Sequence, residues 1–511
     1  MRFFYGRRLN NYKESSYFYG REQAVLLDHL LNLLEEKKLV LPEDRAYTQN
    51  LLLDALRLDA PAEGELHGED IPDCLAELTA WAATHGVIHD TADEKDRLNA
   101  RLSGTFTPHP ADVRREFYDL LNKAGPEAAV KWFYQLCRDI DYIRVKHIAQ
   151  NIKYTAPSPC GELEITINLS KPEKDPRDIA AARNAPKSGY PLCMLCKENP
   201  GYAGHPGFPA RQNHRIIPLN LAGEEWYFQY SPYLYFEEHC IVLDSVHEPM
   251  RLTSKSFDRL FEFVDKFPFY FIGANADLPI VGGSILTHDH YQGGRHLFPM
   301  DKAPIEWTFD SPVESGVVDW PMTCLRFISE DQEELKRIAM RVLEAWRQYS
   351  DEKLGIFAQT DAPHNTVTPT LRKLPDGRYQ MHLVLRNNRT SEEHPLGIYH
   401  PHAPLHHIKK ENIGLIEVMG LFILPGRLKT ELAALEPYLM GTGEISAGSS
   451  HEAWVKEIAA KQGRNMTQAQ AEEALHAAVA DTCYQVLCDS GVYKQDAAGQ
   501  AGLKRFLDTV F

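Results

Sequence analysis

From Glu22 to Val40 the apolar residues Val25, Leu26, Leu30, Leu33 and Leu34 recur at the spacing that gathers side chains on one face of a helix. The same texture returns over Pro72–Ala83 and Asp112–Gln150, so the chain up to Gln150 reads as mainly helical. Near Glu162 the period changes. In GELEITINLS, Leu163, Ile165, Ile167 and Leu169 alternate with polar residues, which predicts a half-buried strand. The polar stretch KPEKDPRDIAAARNAPKSGYP then reads as an extended loop that carries Lys171, Lys174 and Arg177 either into solvent or toward an anion.

Strand signals are densest from Cys193 to about Met300. Tyr233–Leu243 is rich in Tyr, Phe, Ile and Val. Ser254–Phe267 places Phe257, Leu260, Phe261, Val264 and Phe267 on one helical face. Phe269–Ile272 and Ile280–Leu286 predict strands around a glycine-bearing turn, and RYQMHLVLRNNR, from Arg378 to Arg389, predicts another strand-rich stretch. Beyond Pro425 the pattern is helical again, over Leu428–Met440 and Ala453–Val486. The fold class is therefore α+β.

Composition acts mainly by exclusion. The 511 residues are 43% hydrophobic, 10% aromatic and 25% charged, which excludes disordered and fibrous classes. Against 71 Asp and Glu stand 55 Lys and Arg; a net charge of −16 repels polyphosphate backbones and anionic lipid, so no nucleic acid and no membrane is expected as a partner. An anionic substrate must then be held by local cations and backbone N–H groups. The nine scattered cysteines form no disulfide framework and fit a reducing compartment. The start, MRFFYGRRLNNYKESSYFYG, has no uninterrupted apolar signal region, and the most apolar later run, Ile413–Leu424, is short and carries Glu417. A cytoplasmic location is expected.

Candidate chemistry concentrates in DLPIVGGSILTHDHYQGG, Asp277–Gly294. Extended backbone over Thr287–Gly294 would put His288, His290 and Gln292 on one side and turn Asp289 and Tyr291 away into structural roles. With 22 histidines, roughly one H-x-H pair arises by chance; the chain has two, His288/His290 and His400/His402. Context separates them. The first pair follows an apolar run and stands between Gly282-Gly283 and Gly293-Gly294, which let backbone approach a ligand. The second, with His364, His406 and His407, sits among Pro401 and Pro404 and reads as a solvated or locally hydrogen-bonded loop. Cys193-Met194-Leu195-Cys196 has the C-x2-C spacing that offers two thiolates to one tetrahedral zinc, and equally suits a redox pair or two buried thiols. His239 and Cys240, inside an apolar run, read as core.

Asp277–Gly294 resembles the signature of the class II galactose-1-phosphate uridylyltransferases (UDP-glucose:hexose-1-phosphate uridylyltransferases), a branch of the histidine triad superfamily whose triad reads H-x-H-x-Q. Ile167–Arg177, Cys193–Arg215, Tyr233–Met250 and Glu417–Leu428 are similar to that family's segments as well, while Thr287 stands where a smaller residue is expected. The resemblance implies a histidine-triad-like core of two related halves with antiparallel sheet, plus helical additions. Its parts are a mainly helical region 1–155, a catalytic half 156–310, a second half 311–425 and a helical region 426–511.

The resemblance also implies an activity and a set of roles. UMP is exchanged between UDP-glucose and galactose 1-phosphate, giving glucose 1-phosphate and UDP-galactose, by a ping-pong cycle through a uridylyl-histidine in a homodimer. His290 falls at the position of the nucleophile, with His288 and Gln292 completing the catalytic set. A phosphate-ester leaving group needs little help from a general acid, so an amide that orients the phosphoryl group suits transfer better than hydrolysis. Cys193, Cys196, His247 and His288 fall at the ligand positions of a structural zinc. Asn213, Asn275, Gly283 and Ser284 fall at positions for uridine, ribose and phosphate contacts. Arg295 follows the glycines and is suited to neutralise a phosphate, as are Lys174, Arg177 and Arg427. Two other readings share the motif: a dinucleoside polyphosphate phosphorylase, and a nucleotide-sugar sensor that binds without reacting.

Overall fold

The computed structural model describes residues 24–60, 68–170, 189–446 and 448–511. Lys171, Lys174 and Arg177 lie outside the described residues, as do the side chains of Val25 and Leu26. The N-terminal part is helical, as the spacing predicts: Ala24–Glu36, Arg45–Leu56, Ile71–Thr84, Ala92–Gly104, Pro110–Ala124, Pro126–Asp139 and Val145–Ile148. Asp70 and Thr91 cap two of these helices with side-chain oxygens, and prolines open two others.

Thirteen strands follow among the described residues: β1 (Ile152–Ser158), β2 (Gly161–Asn168), β3 (Ile217–Leu221), β4 (Glu224–Tyr230), β5 (Cys240–Asp244), β6 (Phe271–Gly273), β7 (His290–Gly294), β8 (Ile305–Thr308), β9 (Glu314–Val318), β10 (Cys324–Ser329), β11 (Asn365–Lys373), β12 (Tyr379–Asn387) and β13 (Leu421–Pro425). Strands β1, β2 and β13 make a small sheet in which β2 and β13 run parallel. The other ten form one antiparallel sheet in the order β3-β4-β5-β7-β6-β11-β12-β10-β9-β8. The architecture is α+β.

The two-residue period of the strands divides the core. Leu325, Leu383 and Leu385 pack with the helices Ser254–Lys266 and Gln332–Gln348, whereas their neighbours Cys324 and Val384 join a second core with β2, β13 and the helix Gln468–Ser490. Phe257, Leu260, Phe261 and Val264 are all buried on the predicted face of Ser254–Lys266, each stabilising the fold by about 1.5–3 kcal/mol. Phe117 and Phe133 dock the N-terminal helices on Phe228 of β4.

Four local expectations change. Leu169 lies just past the end of β2. Ile280–Leu286 is a turn, not a strand: Ile280 has φ +73°, and a Cβ on Gly282 would lie 2.5 Å from the Ala276 carbonyl oxygen. Its apolar composition reflects burial of Val281 instead of strand pairing. Positive φ at Leu234 and Glu238 bends the Tyr233–Leu243 stretch, so β5 starts only at Cys240. Thr287 and His288 lie in a bend, and the extended backbone of the histidine motif begins at His290.

Candidate functional site

Strand β7 lies between β5 and β6, pairing His290 with Leu243 and Gln292 with both Ile241 and Gly273. Alternation puts His290 and Gln292 on the face opposite Tyr291. Tyr291 stacks on Trp226 at 5.0 Å between ring centroids, and Arg259 bonds its hydroxyl and pairs with Asp289, so both residues turn to structural roles as the sequence predicts. Gly293 lets β6 approach: a Cβ there would sit 2.6 Å from the Phe271 carbonyl oxygen.

His290 Nδ1 is 2.9 Å from the His288 carbonyl oxygen. A carbonyl only accepts, so Nδ1 carries the proton and Nε2 keeps its lone pair. Burial pushes this imidazole down to about 4, which leaves it neutral near pH 7. Gln292 Oε1 lies 3.2 Å from Nε2 of His239. His239 is buried, as its apolar setting suggests, yet it touches the motif. Two residues before Ile241, it is a diagonal neighbour of Gln292 across the β5/β7 ladder.

At the foot of β7 the Cys193–Cys196 turn is built around its sulfurs. Leu195 N–H donates to Cys193 Sγ at 3.3 Å, and the Asn199 amide donates to the Cys193 and Cys196 carbonyls at 2.9 and 2.7 Å. The two Sγ atoms are 3.6 Å apart. Cys193 Sγ is 3.3 Å from His288 Nδ1, and Cys196 Sγ is 3.2 Å from His247 Nδ1. All four ligand atoms lie within 4.8 Å of one another, a group able to hold a metal ion. His288 Nε2–H donates to the Asp244 carbonyl at 2.9 Å, which fixes Nδ1 toward the sulfurs. Burial pushes the Cys193 thiol up to about 12; a bound divalent cation reverses that preference. His288 thus faces the cysteines with its ring and His290 with its carbonyl.

The remaining candidates are held in other ways. The buried Asn213 amide donates to the Ile140 carbonyl at 3.1 Å, toward the N-terminal helices. Asn275 Oδ1 accepts from Leu415 N–H at 2.9 Å, and Gly283 packs so closely that a Cβ would lie 2.6 Å from Asn275 Nδ2. Ser284 is exposed. Arg295 pairs with Glu238 and Glu127 at 3.2 and 3.1 Å and lies over the Phe269 ring, so carboxylates already match its charge. Arg427 pairs with Glu431 and donates to the His407 carbonyl.

A buried histidine protonated on Nδ1, with a carboxamide two residues on along the same face of β7, has the chemistry of a group-transfer site, and the transferase class is shown by the chain's relatives. The chain belongs to the galactose-1-phosphate uridyl transferase family: the family's N-terminal domain matches residues 38–249 and its C-terminal domain residues 262–456. A galactose-1-phosphate uridylyltransferase of Caldanaerobacter subterraneus is 45% identical over 96% of this chain and 98% of its own length. Those of Streptococcus salivarius and Bacillus subtilis are 51% and 47% identical, over 91% and 94% of this chain and 95% and 97% of theirs. The crystal structure of a yeast Ap4A phosphorylase is similar at TM-score 0.32 and 13% identity, covering 64% of this chain and 91% of that one. No helix among the described residues is long and apolar enough to cross a membrane.

Proposed function

We propose that this chain exchanges UMP between UDP-glucose and galactose 1-phosphate through a covalent uridylyl group on His290. The observation that carries the reading is the 2.9 Å bond from His290 Nδ1–H to the His288 carbonyl, which leaves Nε2 as the nucleophile. In the first half-reaction the Nε2 lone pair bonds to the α-phosphorus of UDP-glucose. The bond from that phosphorus to the bridging oxygen breaks, and glucose 1-phosphate leaves with the electron pair. This leaving group is stable as an anion, so no proton donor is needed. The ring becomes cationic as the N–P bond forms, and its Nδ1–H bond to the carbonyl strengthens. A phosphate oxygen of galactose 1-phosphate then attacks the same phosphorus, the N–P bond breaks, and UDP-galactose leaves. Gln292, a neutral amide, is suited to donate to a non-bridging oxygen without supplying a proton, which favours transfer over hydrolysis.

We assign a structural Zn2+ to Cys193, Cys196, His247 and His288. Bonds of about 2.3 Å to sulfur and about 2.0 Å to nitrogen give tetrahedral edges of about 3.8 Å between sulfurs and about 3.5 Å from sulfur to nitrogen. The separations here, 3.6 Å between sulfurs and 3.2–3.8 Å from sulfur to imidazole nitrogen, with all four ligand atoms within 4.8 Å of one another, lie near that set. A bound ion would tie the cysteine turn to the foot of β7 through these four side chains. A cytoplasmic homodimer completes the proposal. Nine free cysteines support the reducing compartment, family resemblance supports the dimer, and sedimentation tests it.

The test of the reaction is mass. Enzyme quenched during turnover with UDP-glucose is expected to carry one acid-labile uridylyl group, His290→Asn none, and diadenosine tetraphosphate with phosphate is expected to give no products. Wild-type protein without an adduct during exchange, or full exchange by His290→Asn, overturns the reading.

A further inference from the structure

Gln292 helps the proposed transfer only when its amide nitrogen, and not its oxygen, faces the phosphoryl group. An untethered carboxamide populates both orientations. Here it is tethered. His239 stands at the head of β5, two residues before Ile241, the partner of Gln292, and its Nε2 is 3.2 Å from Gln292 Oε1.

The imidazole has little freedom to move. Phe236 packs against it at 4.4 Å between centroids, and Tyr235 stacks on it at 5.7 Å. Its backbone is bonded both ways: His239 N–H donates to the Phe236 carbonyl at 3.3 Å, and its carbonyl accepts from Ser231 N–H at 2.8 Å. Glu238, with φ +53°, turns the chain into this position. The residue is 2% exposed, and Nδ1 has no hydrogen-bond partner among the described residues. Gln292 is therefore the one polar contact found for the ring among them, and the single proton of a neutral imidazole belongs on Nε2, where an acceptor waits. Burial pushes His239 down to about 4, so the ring is neutral at working pH.

We propose that His239 is a positioning residue: its Nε2–H holds Gln292 Oε1, so that the amide N–H groups face the phosphoryl group bound to His290. This rests on the uridylyl-transfer reading above. His239 touches no reacting atom and acts through the orientation of one amide.

His239→Phe keeps the aromatic packing and removes the donor. It is expected to lower kcat about 10- to 100-fold, with the KM for UDP-glucose within about twofold. His239→Gln restores a neutral N–H and is expected to recover part of the loss. In a Gln292→Ala background, His239→Phe is expected to cost less than about twofold, since both changes act through the same amide. Nitrogen NMR of the unmodified protein, selectively labelled at histidine, is expected to show His239 protonated on Nε2 and bare on Nδ1; this decides the matter even where a substitution prevents folding. Multiplicative effects in the double variant, an unchanged kcat in folded His239→Phe, or the Nδ1–H tautomer overturns the proposal. The adduct experiment keeps the two proposals apart. Wild-type enzyme that forms no adduct removes the transfer reading, whereas adduct formation with multiplicative variants removes only the role of His239.

Discussion

The His288/His290 and His400/His402 pairs share a spacing and use their ring nitrogens in opposite ways. His288 aims Nδ1 at Cys193, and His290 Nε2 has no hydrogen bond among the described residues. In the second pair His400 bonds the Pro401 carbonyl at 3.1 Å and Asn412 at 3.2 Å. His402 bonds the Ile398 carbonyl at 3.0 Å, faces Asp489 at 3.4 Å and stacks on His394 at 4.1 Å. The backbone makes the difference. His290 is held in the β5/β7 ladder, and His288, in the bend just before it, is fixed between Cys193 and the Asp244 carbonyl; Pro401 and Pro404 keep the second pair in irregular chain, where each ring meets a nearby acceptor. H-x-H spacing says little until the ladder beside it is known.

The largest effect that tests this contrast is at the nucleophile. His290→Asn should lower turnover on the order of 10⁴-fold or more and abolish the adduct, while His402→Asn stays within about threefold. Equal losses measured by steady-state kinetics would dissolve the distinction. Gln292→Ala should slow both half-reactions by about 100-fold with a slow adduct still visible by mass; normal turnover would mean that the amide is not aimed at the phosphorus. Smaller again is the metal. Elemental analysis should find about one zinc per chain in the wild type, little in Cys193→Ser, and an unchanged amount in His400→Asn. A chelator should lower the Tm before it lowers the activity of still-folded enzyme, and full activity in metal-free protein removes the assignment.

The smallest effect is a pH slope. Burial holds His400 below its ordinary 6.5. A histidine depressed in the folded state favours folding above the unfolded value, and that stability is lost as pH falls through the lower folded value. Denaturation of His400→Asn should therefore show a shallower decline below about pH 6.5 than the wild type. An identical slope would show that the ring does not titrate on unfolding.

What could be read in advance was local. The helical faces of Leu30 and Leu34 and of Phe257–Val264, and the alternation of Leu163, Ile165 and Ile167, follow from periods that a short window contains. The cysteine spacing was equally visible. Its partners were not: His247 is 51 residues and His288 92 residues from Cys196, and only the family resemblance joined them. The His239–Gln292 contact depends on the register between β5 and β7, which no single-strand pattern encodes. Arg295 looked available because the carboxylate of Glu127 that pairs with it is 168 residues upstream. Ile280–Leu286 misled because a buried turn and a buried strand have the same apolar content.

Strand β6 has only three residues, yet it joins the sheet: Gly273 pairs with Gln292 on one side and with Thr370 of β11 on the other. A chain cut after residue 310 keeps the proposed nucleophile, its amide and all four metal ligands but strips β6 of its neighbour. The bare edge is a template for foreign strands, so such a fragment should clump before it could work. Any gene arrangement that divides this protein there must bring a replacement strand with it.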